Sequence, residues 1–205
     1  MLDVDWGAER PNRDTIDAAW RDASFDAVAL QATEVDAYTD AMASTRPGGG
    51  ARCCCIQIPD SPVIDWFAAR NCLADAGFFD RLLGSDAVAA ELDLDVSEPP
   101  TPTMTVESSL SLDGILAEAL VYGGSVAYDD AVGELGDGMS GAKRLAERFR
   151  DVVVEERYEE VTVHRTCEPW CEWFGDAPWN FTLVAVDRRY RWAWVLVATD
   201  EGTLQ

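Results

Sequence analysis

The chain reads as a mixed α/β protein in which helices flank a mixed sheet that ends in a C-terminal antiparallel hairpin. Three observations predict this. Strand-like and helix-like stretches alternate through the first half. Leu112, Ile115, Leu116, Ala119 and Leu120 recur at helical spacing, the cleanest amphipathic repeat in the sequence. Near the end, two β-rich runs are parted by a short polar turn. Residues 1–205 are expected to form one domain, with the proline-rich connection 96–103 as the candidate boundary if there are two.

The elements follow in order. Asp14 to Ala23 predicts a short helix with Ile16 and Trp20 on one face, and Phe25 to Leu30 a strand. Thr33 is the expected cap of a second helix running to Ala43. Arg46-Pro47-Gly48-Gly49-Gly50 predicts a loop, after which Arg52 to Ile58 has the length and apolarity of a strand closed by Pro59 and Pro62. From Pro62 a helix carries Val63, Trp66, Phe67 and Ala74 near one stripe, with Gly77 as its stop. Pro99, Pro100 and Pro102 forbid a helix and favour an extended connection. Beyond them come a short strand at Met104 to Val106 and the amphipathic helix, with Ser111 as cap and Asp113 in its first turn. A further helix places Leu145, Phe149, Val152 and Val153 on one face. Val161 and Val163 mark one face of a strand, leaving Thr162 and His164 on the other, expected to be polar and reachable. Phe181 to Val186 and Arg191 to Ala198, joined through Asp187-Arg188-Arg189-Tyr190, form the hairpin. Both runs are apolar on both faces, so they belong inside the sheet.

Charge sets the setting. Thirty-eight acidic residues face sixteen basic ones, of which Lys143 is the only lysine, and the net charge is −22. Such a surface repels itself in dilute buffer, whereas at 1 M salt the Debye length falls to about 3 Å and the repulsion is screened. The arginine bias suits fixed pairing with carboxylates. A cytoplasmic protein adapted to high salt is the expectation, since the acidic Met1-Leu2-Asp3-Val4-Asp5 is no secretory n-region and no apolar run reaches the ~20 residues of a membrane helix. The same charge argues against nucleic acid as a partner. A basic group on Lys143, Arg144, Arg148, Arg150, Arg188, Arg189 and Arg191 is expected to pair locally with acids such as Glu147, Glu155 and Glu156.

Two clusters carry the functional expectations. Five of the eight tryptophans, Trp170, Trp173, Trp179, Trp192 and Trp194, lie in the last stretch of the chain with Phe181 and Tyr190. Trp170, Trp173, Trp179 and Tyr190 are the candidate contacts for a small-molecule or protein partner, because an aromatic wall stacks rings and anchors interfaces. The leading expectation is therefore a non-enzymatic binding or interaction protein that needs no cofactor. The alternative is a thiol-based zinc or redox protein built on His164, Cys167 and Cys171. If a helical turn begins at Glu168, Cys167 caps it and Cys171 lies over the same face, so that two thiolates and an imidazole converge.

Other motifs point less far. Cys53-Cys54-Cys55 cannot chelate one ion from a strand, because adjacent side chains point to opposite faces, although a strand beside the Cys167 loop would bring further thiols to it. Gly133 to Gly141 precedes a helix but lacks the lysine and hydroxyl of a phosphate-binding loop, with Ala142 and Arg144 in those places. Asp93, Asp95, Asp129 and Asp130 are the acid pairs that could hold magnesium. The stretch Ser109-Leu110-Ser111-Leu112-Asp113-Gly114-Ile115-Leu116-Ala117 resembles a strand-to-helix segment of CRISPR-associated RAMP-type proteins and includes no catalytic group.

Overall fold

Six antiparallel strands form one sheet with helices on both faces in the computed structural model, which describes residues 5–122, 124–125, 133, 135 and 137–200. The strands are β1 (Asp26–Ala27), β2 (Gly50–Gln57), β3 (Thr105–Glu107), β4 (Val161–Thr166), β5 (Phe181–Asp187) and β6 (Trp192–Thr199). Their spatial order is β1-β2-β6-β5-β4-β3. Every pairing is antiparallel, so the expected mixed sheet is corrected. Alternation of strand and helix suggested parallel crossovers, but a helix laid on a sheet face can equally return the chain to an antiparallel neighbour. The helix between β1 and β2 does this.

Seven α-helices are described: α1 (Arg13–Asp22), α2 (Thr33–Ser44), α3 (Pro62–Ala69), α4 (Phe78–Leu83), α5 (Asp86–Glu91), α6 (Leu112–Tyr122) and α7 (Gly138–Val153). Asn12 caps α1 by accepting from Thr15 N–H. The N-cap of α2 is Ala32 rather than Thr33, which is already helical. The helix expected from Pro62 ends early, at Ala69; a 3-10 turn at Leu73–Ala76 then leads to Gly77, whose φ of +66° suits glycine as a stop. Sequence reading left α4 and α5 out, although Phe78, Phe79, Leu82, Leu83 and Val88 bury the apolar side of that segment.

Strand period 2 divides two cores. On one face Cys54, Ile56, Val184, Val186, Ala193, Val195 and Val197 meet α1, α3, α4 and α5 through Trp20, Phe67, Phe78, Leu82 and Val88. On the other, Cys55, Leu183, Ala185, Trp194, Leu196 and Ala198 meet α2, α6 and α7 through Tyr38, Met42, Leu116 and Phe149. The hairpin strands β5 and β6 are central and buried on both sides, as their double-sided apolarity predicts. Strands from both sides of the proline-rich connection share this sheet, because β2 pairs with β6 along its whole length.

Candidate functional site

A cleft of about 230 Å³ opens at the end of the sheet where β4 finishes and β5 begins. One side of α6 supplies Ile115, Glu118, Ala119 and Tyr122, three and four residues apart and therefore along one helical stripe. The end of β4 supplies Arg165 and Cys167, the approach to β5 supplies Trp179, Asn180 and Phe181, and the turn after α2 supplies Arg46. Aromatic rings and two arginines thus line the same cleft, with Glu118 the acidic residue in the lining.

Arg46 is 1% exposed, the largest fully buried side chain described. Its position has a structural cause. One terminal nitrogen donates to the Met42 carbonyl at 3.0 Å and to Thr45 Oγ1 at 2.9 Å, and the other to the Ala119 carbonyl at 2.8 Å. Met42 and Ala119 lie in the last turns of α2 and α6, where carbonyls lack intrahelical partners and the helix dipole is negative. One cation closes two helix ends. Its Nε, also buried, has no hydrogen-bond partner among the described residues. Burial lowers its pKa to about 10, with the nearby Tyr38 and Asp200 pulling the other way, so it stays cationic at neutral pH. Asp200 holds the adjoining backbone by accepting from Gly48 N–H at 2.9 Å and Ser125 N–H at 2.6 Å. Gly49 is required beside it, because a Cβ there would stand 2.3 Å from the Thr199 carbonyl oxygen.

The aromatic candidates do not share one surface. Trp179 is half-buried and lines the Arg46 cleft. Trp170 is 7% exposed and spends its indole N–H on Thr182 Oγ1 at 2.8 Å. Trp173 is half-buried beneath Arg52, whose guanidinium carbon is 5.0 Å from the ring centroid. Tyr190 is 44% exposed, but it sits at the hairpin turn, at the far end of β5 from Trp179, with Arg157 over its ring at 4.6 Å.

The thiol cluster separates too. His164 is 7% exposed, with its ring centroid 4.5 Å from that of Phe79 in α4. The expected reachable face is covered because helices lie on both sides of the sheet. Burial depresses its pKa to about 4, so the imidazole is neutral. The turn expected to start at Glu168 begins later, as a 3-10 turn over Glu172–Phe174, which puts Cys171 rather than Cys167 at its start. Cys167 is exposed in the Arg46 cleft. Cys171 is half-buried in a different cleft of about 540 Å³, beside Trp170 and the strap Ser97 to Thr101, and burial raises its pKa. Among the described residues, no three His, Cys, Asp or Glu side chains are grouped to hold a metal ion.

Cys53, Cys54 and Cys55 stay away from Cys167. The row Thr166, Thr182, Val197, Arg52 crosses the sheet, so β2 lies three strand spacings, about 14 Å, from β4. Burial drives the Cys53 and Cys54 thiols far up and Cys55 up to about 12, which makes them inert packing groups. The basic group is consumed largely by other acids than expected: Lys143 pairs with Asp113, Arg144 with Asp137, Arg150 with Asp151, Arg189 with Glu160 and Arg191 with Asp65. Asp129, Asp130, Glu134 and Gly136 lie outside the described residues.

No protein-family model matches the chain, and a search of curated proteins finds no significant relative. Among the described residues, no helix is long and apolar enough to cross a membrane.

The site residues that sequence reasoning missed are Arg46, Arg165, Tyr122 and Asn180. Arg46 was read only as the first residue of a proline–glycine loop. The one available signal was position: an arginine just past a helix end can turn back onto the final carbonyls.

Proposed function

We propose that this chain is a non-enzymatic binding protein, suited to concentrated salt, that takes a small organic anion in the Arg46 cleft. The observation that supports this reading is a cleft lined by Arg46 and Arg165 together with the rings of Trp179, Tyr122 and Phe181. A site of this kind offers an apolar, ring-stacking body and a few fixed polar groups, as small-molecule sites do. At about 230 Å³ it is smaller than a drug-sized pocket, which points to a fragment-sized ligand. Guanidinium matches carboxylate geometry, so a bound anion would compete with Glu107 for Arg165.

The test uses benzoate and its neutral counterpart benzamide, titrated in molar KCl against the indole N–H resonances of the protein. Expected is a saturable shift of the Trp179 signal with benzoate, of roughly millimolar affinity for so small a ligand, with Trp170 and Trp194 unmoved. Absence of a saturable shift with either compound would remove the reading. Equal affinity for both would remove its anion selectivity.

The zinc or redox alternative has less behind it, because Cys167 and Cys171 line different clefts while His164 packs on Phe79.

A further inference from the structure

We infer that Asp95 to Pro102 is a strap that lies across one long groove, divides it into two clefts, and opens as a unit to join them. The inference is independent of the Arg46 cleft. One of the two clefts, of about 570 Å³, is lined by Trp20, Phe25 and Asp80, and the other, of about 540 Å³, by Trp170, Cys171 and Glu172. Ser97, Glu98 and Pro99 line both, and so form the wall between them. With that wall lifted, a single groove with aromatic rings in each half would admit an elongated ligand in place of two small ones.

The strap is held by packing rather than by hydrogen bonds. Just before it Leu94 N–H donates to the Ala89 carbonyl at 2.9 Å, and just after it Thr103 N–H donates to Glu168 Oε2 at 2.8 Å. Between these two anchors, no residue from Asp95 to Pro102 makes a hydrogen bond to another described residue. Ser97, Glu98, Pro99 and Thr101 are exposed, Val96 packs half-buried on the core, and Pro100 and Pro102 are buried. Pro100 has a fitted seat: a Cβ on Gly84, at the end of α4, would stand 2.9 Å from its Cδ, so the glycine makes room for the ring. A segment with few buried contacts and no backbone hydrogen bonds opens locally, without unfolding the rest. Three prolines keep the span extended and stiff, so it swings between its anchors rather than crumpling. Such a cover opens when a few apolar groups leave their seats, which is how a lid works.

The experiment labels the full chain in molar KCl with N-cyclohexylmaleimide, a bulky neutral reagent, and locates the adducts by peptide mass spectrometry. Cys171, half-buried in the cleft beside the strap, reports its opening; buried Cys54 reports global unfolding, and exposed Cys167 is the reference for reagent activity. Labelling of Cys171 is expected to be insensitive to urea below the unfolding transition, while that of Cys54 climbs with urea. Pro100→Ala removes two buried methylenes from the seat and is expected to speed Cys171 labelling about tenfold. That faster rate should stay insensitive to urea. Pro99→Ala removes the same atoms from an exposed ring of the same strap and is expected to change the rate by less than about twofold. Cys171 labelling that climbs with urea in parallel with Cys54 would overturn the inference, since the site would then open only on global unfolding. An unchanged rate in Pro100→Ala, or equal acceleration by Pro99→Ala, would overturn it as well.

Discussion

Each end of the central hairpin holds a buried arginine near a buried aspartate, and the two are built differently. At the turn end, Arg157 donates from Nε and one terminal nitrogen to Asp187 at 3.0 and 2.8 Å, and its other terminal nitrogen reaches Glu155. The second oxygen of Asp187 accepts from the N–H groups of Arg189 and Tyr190, which fixes the hairpin turn. Every nitrogen of that guanidinium is used. At the open end Arg46 uses its two terminal nitrogens on helix carbonyls and on Thr45, and its Nε goes without. A saturated centre has nothing left to offer a ligand. A buried donor without a partner carries an uncompensated desolvation cost, which an acceptor would relieve only by displacing the groups that cover it.

The largest effect should therefore come from breaking the saturated centre. Asp187→Ala leaves Arg157 buried without its partner and removes the acceptor for two turn N–H groups. The expected loss is about 3–5 kcal/mol of unfolding free energy, read by urea denaturation in molar KCl. A loss below about 1 kcal/mol, the range of exposed pairs, would show that the pair is solvated in the folded chain.

His164 sharpens the comparison as a buried titratable group held neutral. Its pKa falls from the ordinary 6.5 to about 4 because burial disfavours the imidazolium. Between those two values the unfolded chain binds more protons than the folded one. The contribution of His164 is thus complete above pH 6.5, shrinks as pH falls, and is exhausted by pH 4. Relative to His164→Phe, the wild-type chain should lose about 3 kcal/mol across that window. Stability profiles that run parallel in the two proteins would mean that the imidazole is hydrated.

The hairpin was legible in the sequence, and neither arginine centre was. Phe181 to Val186 and Arg191 to Ala198 alternate nothing and sit either side of a polar turn, so a buried hairpin follows from their composition, and the strands found are Phe181–Asp187 and Trp192–Thr199. The repeat from Leu112 gave α6 in the same way. Strand direction was not legible, because no local pattern records which way a neighbouring strand runs. The cleft drew Trp179 and Cys167 from the two sequence clusters, but its arginines come from residues 46 and 165, brought together only by the sheet order. A period-2 pattern likewise names the face that bears His164 without telling that α4 will cover it.

Arg46→Met tests the open centre directly. It strands the Ala119 carbonyl, while Met42 keeps the Thr45 hydroxyl at 3.0 Å, and it fills the volume with an apolar chain, so the expected destabilisation is about 1–3 kcal/mol, smaller than that of Asp187→Ala. The response of Trp179 to benzoate should be lost while the chain stays folded. Retention of full benzoate affinity would assign Arg46 to helix closure alone and leave Arg165 as the anion contact.

The smallest effect marks the boundary between centres that hold the fold and charges that merely coat it. Arg13 and Asp17 lie one helical turn apart on α1 at 3.5 Å, with Arg13 almost fully in solvent. Water already satisfies both, the attraction at high dielectric is slight, and molar KCl screens what is left. Arg13→Ala should change stability by less than about 0.5 kcal/mol, although it deepens a net charge of −22. The informative variable is salt. If the cost of Arg13→Ala grows as KCl is withdrawn while that of Asp187→Ala holds steady, exposed arginines act by diluting surface repulsion and buried ones by contact. The difference between Arg157 and Arg46 is then one of hydrogen-bond saturation rather than of charge.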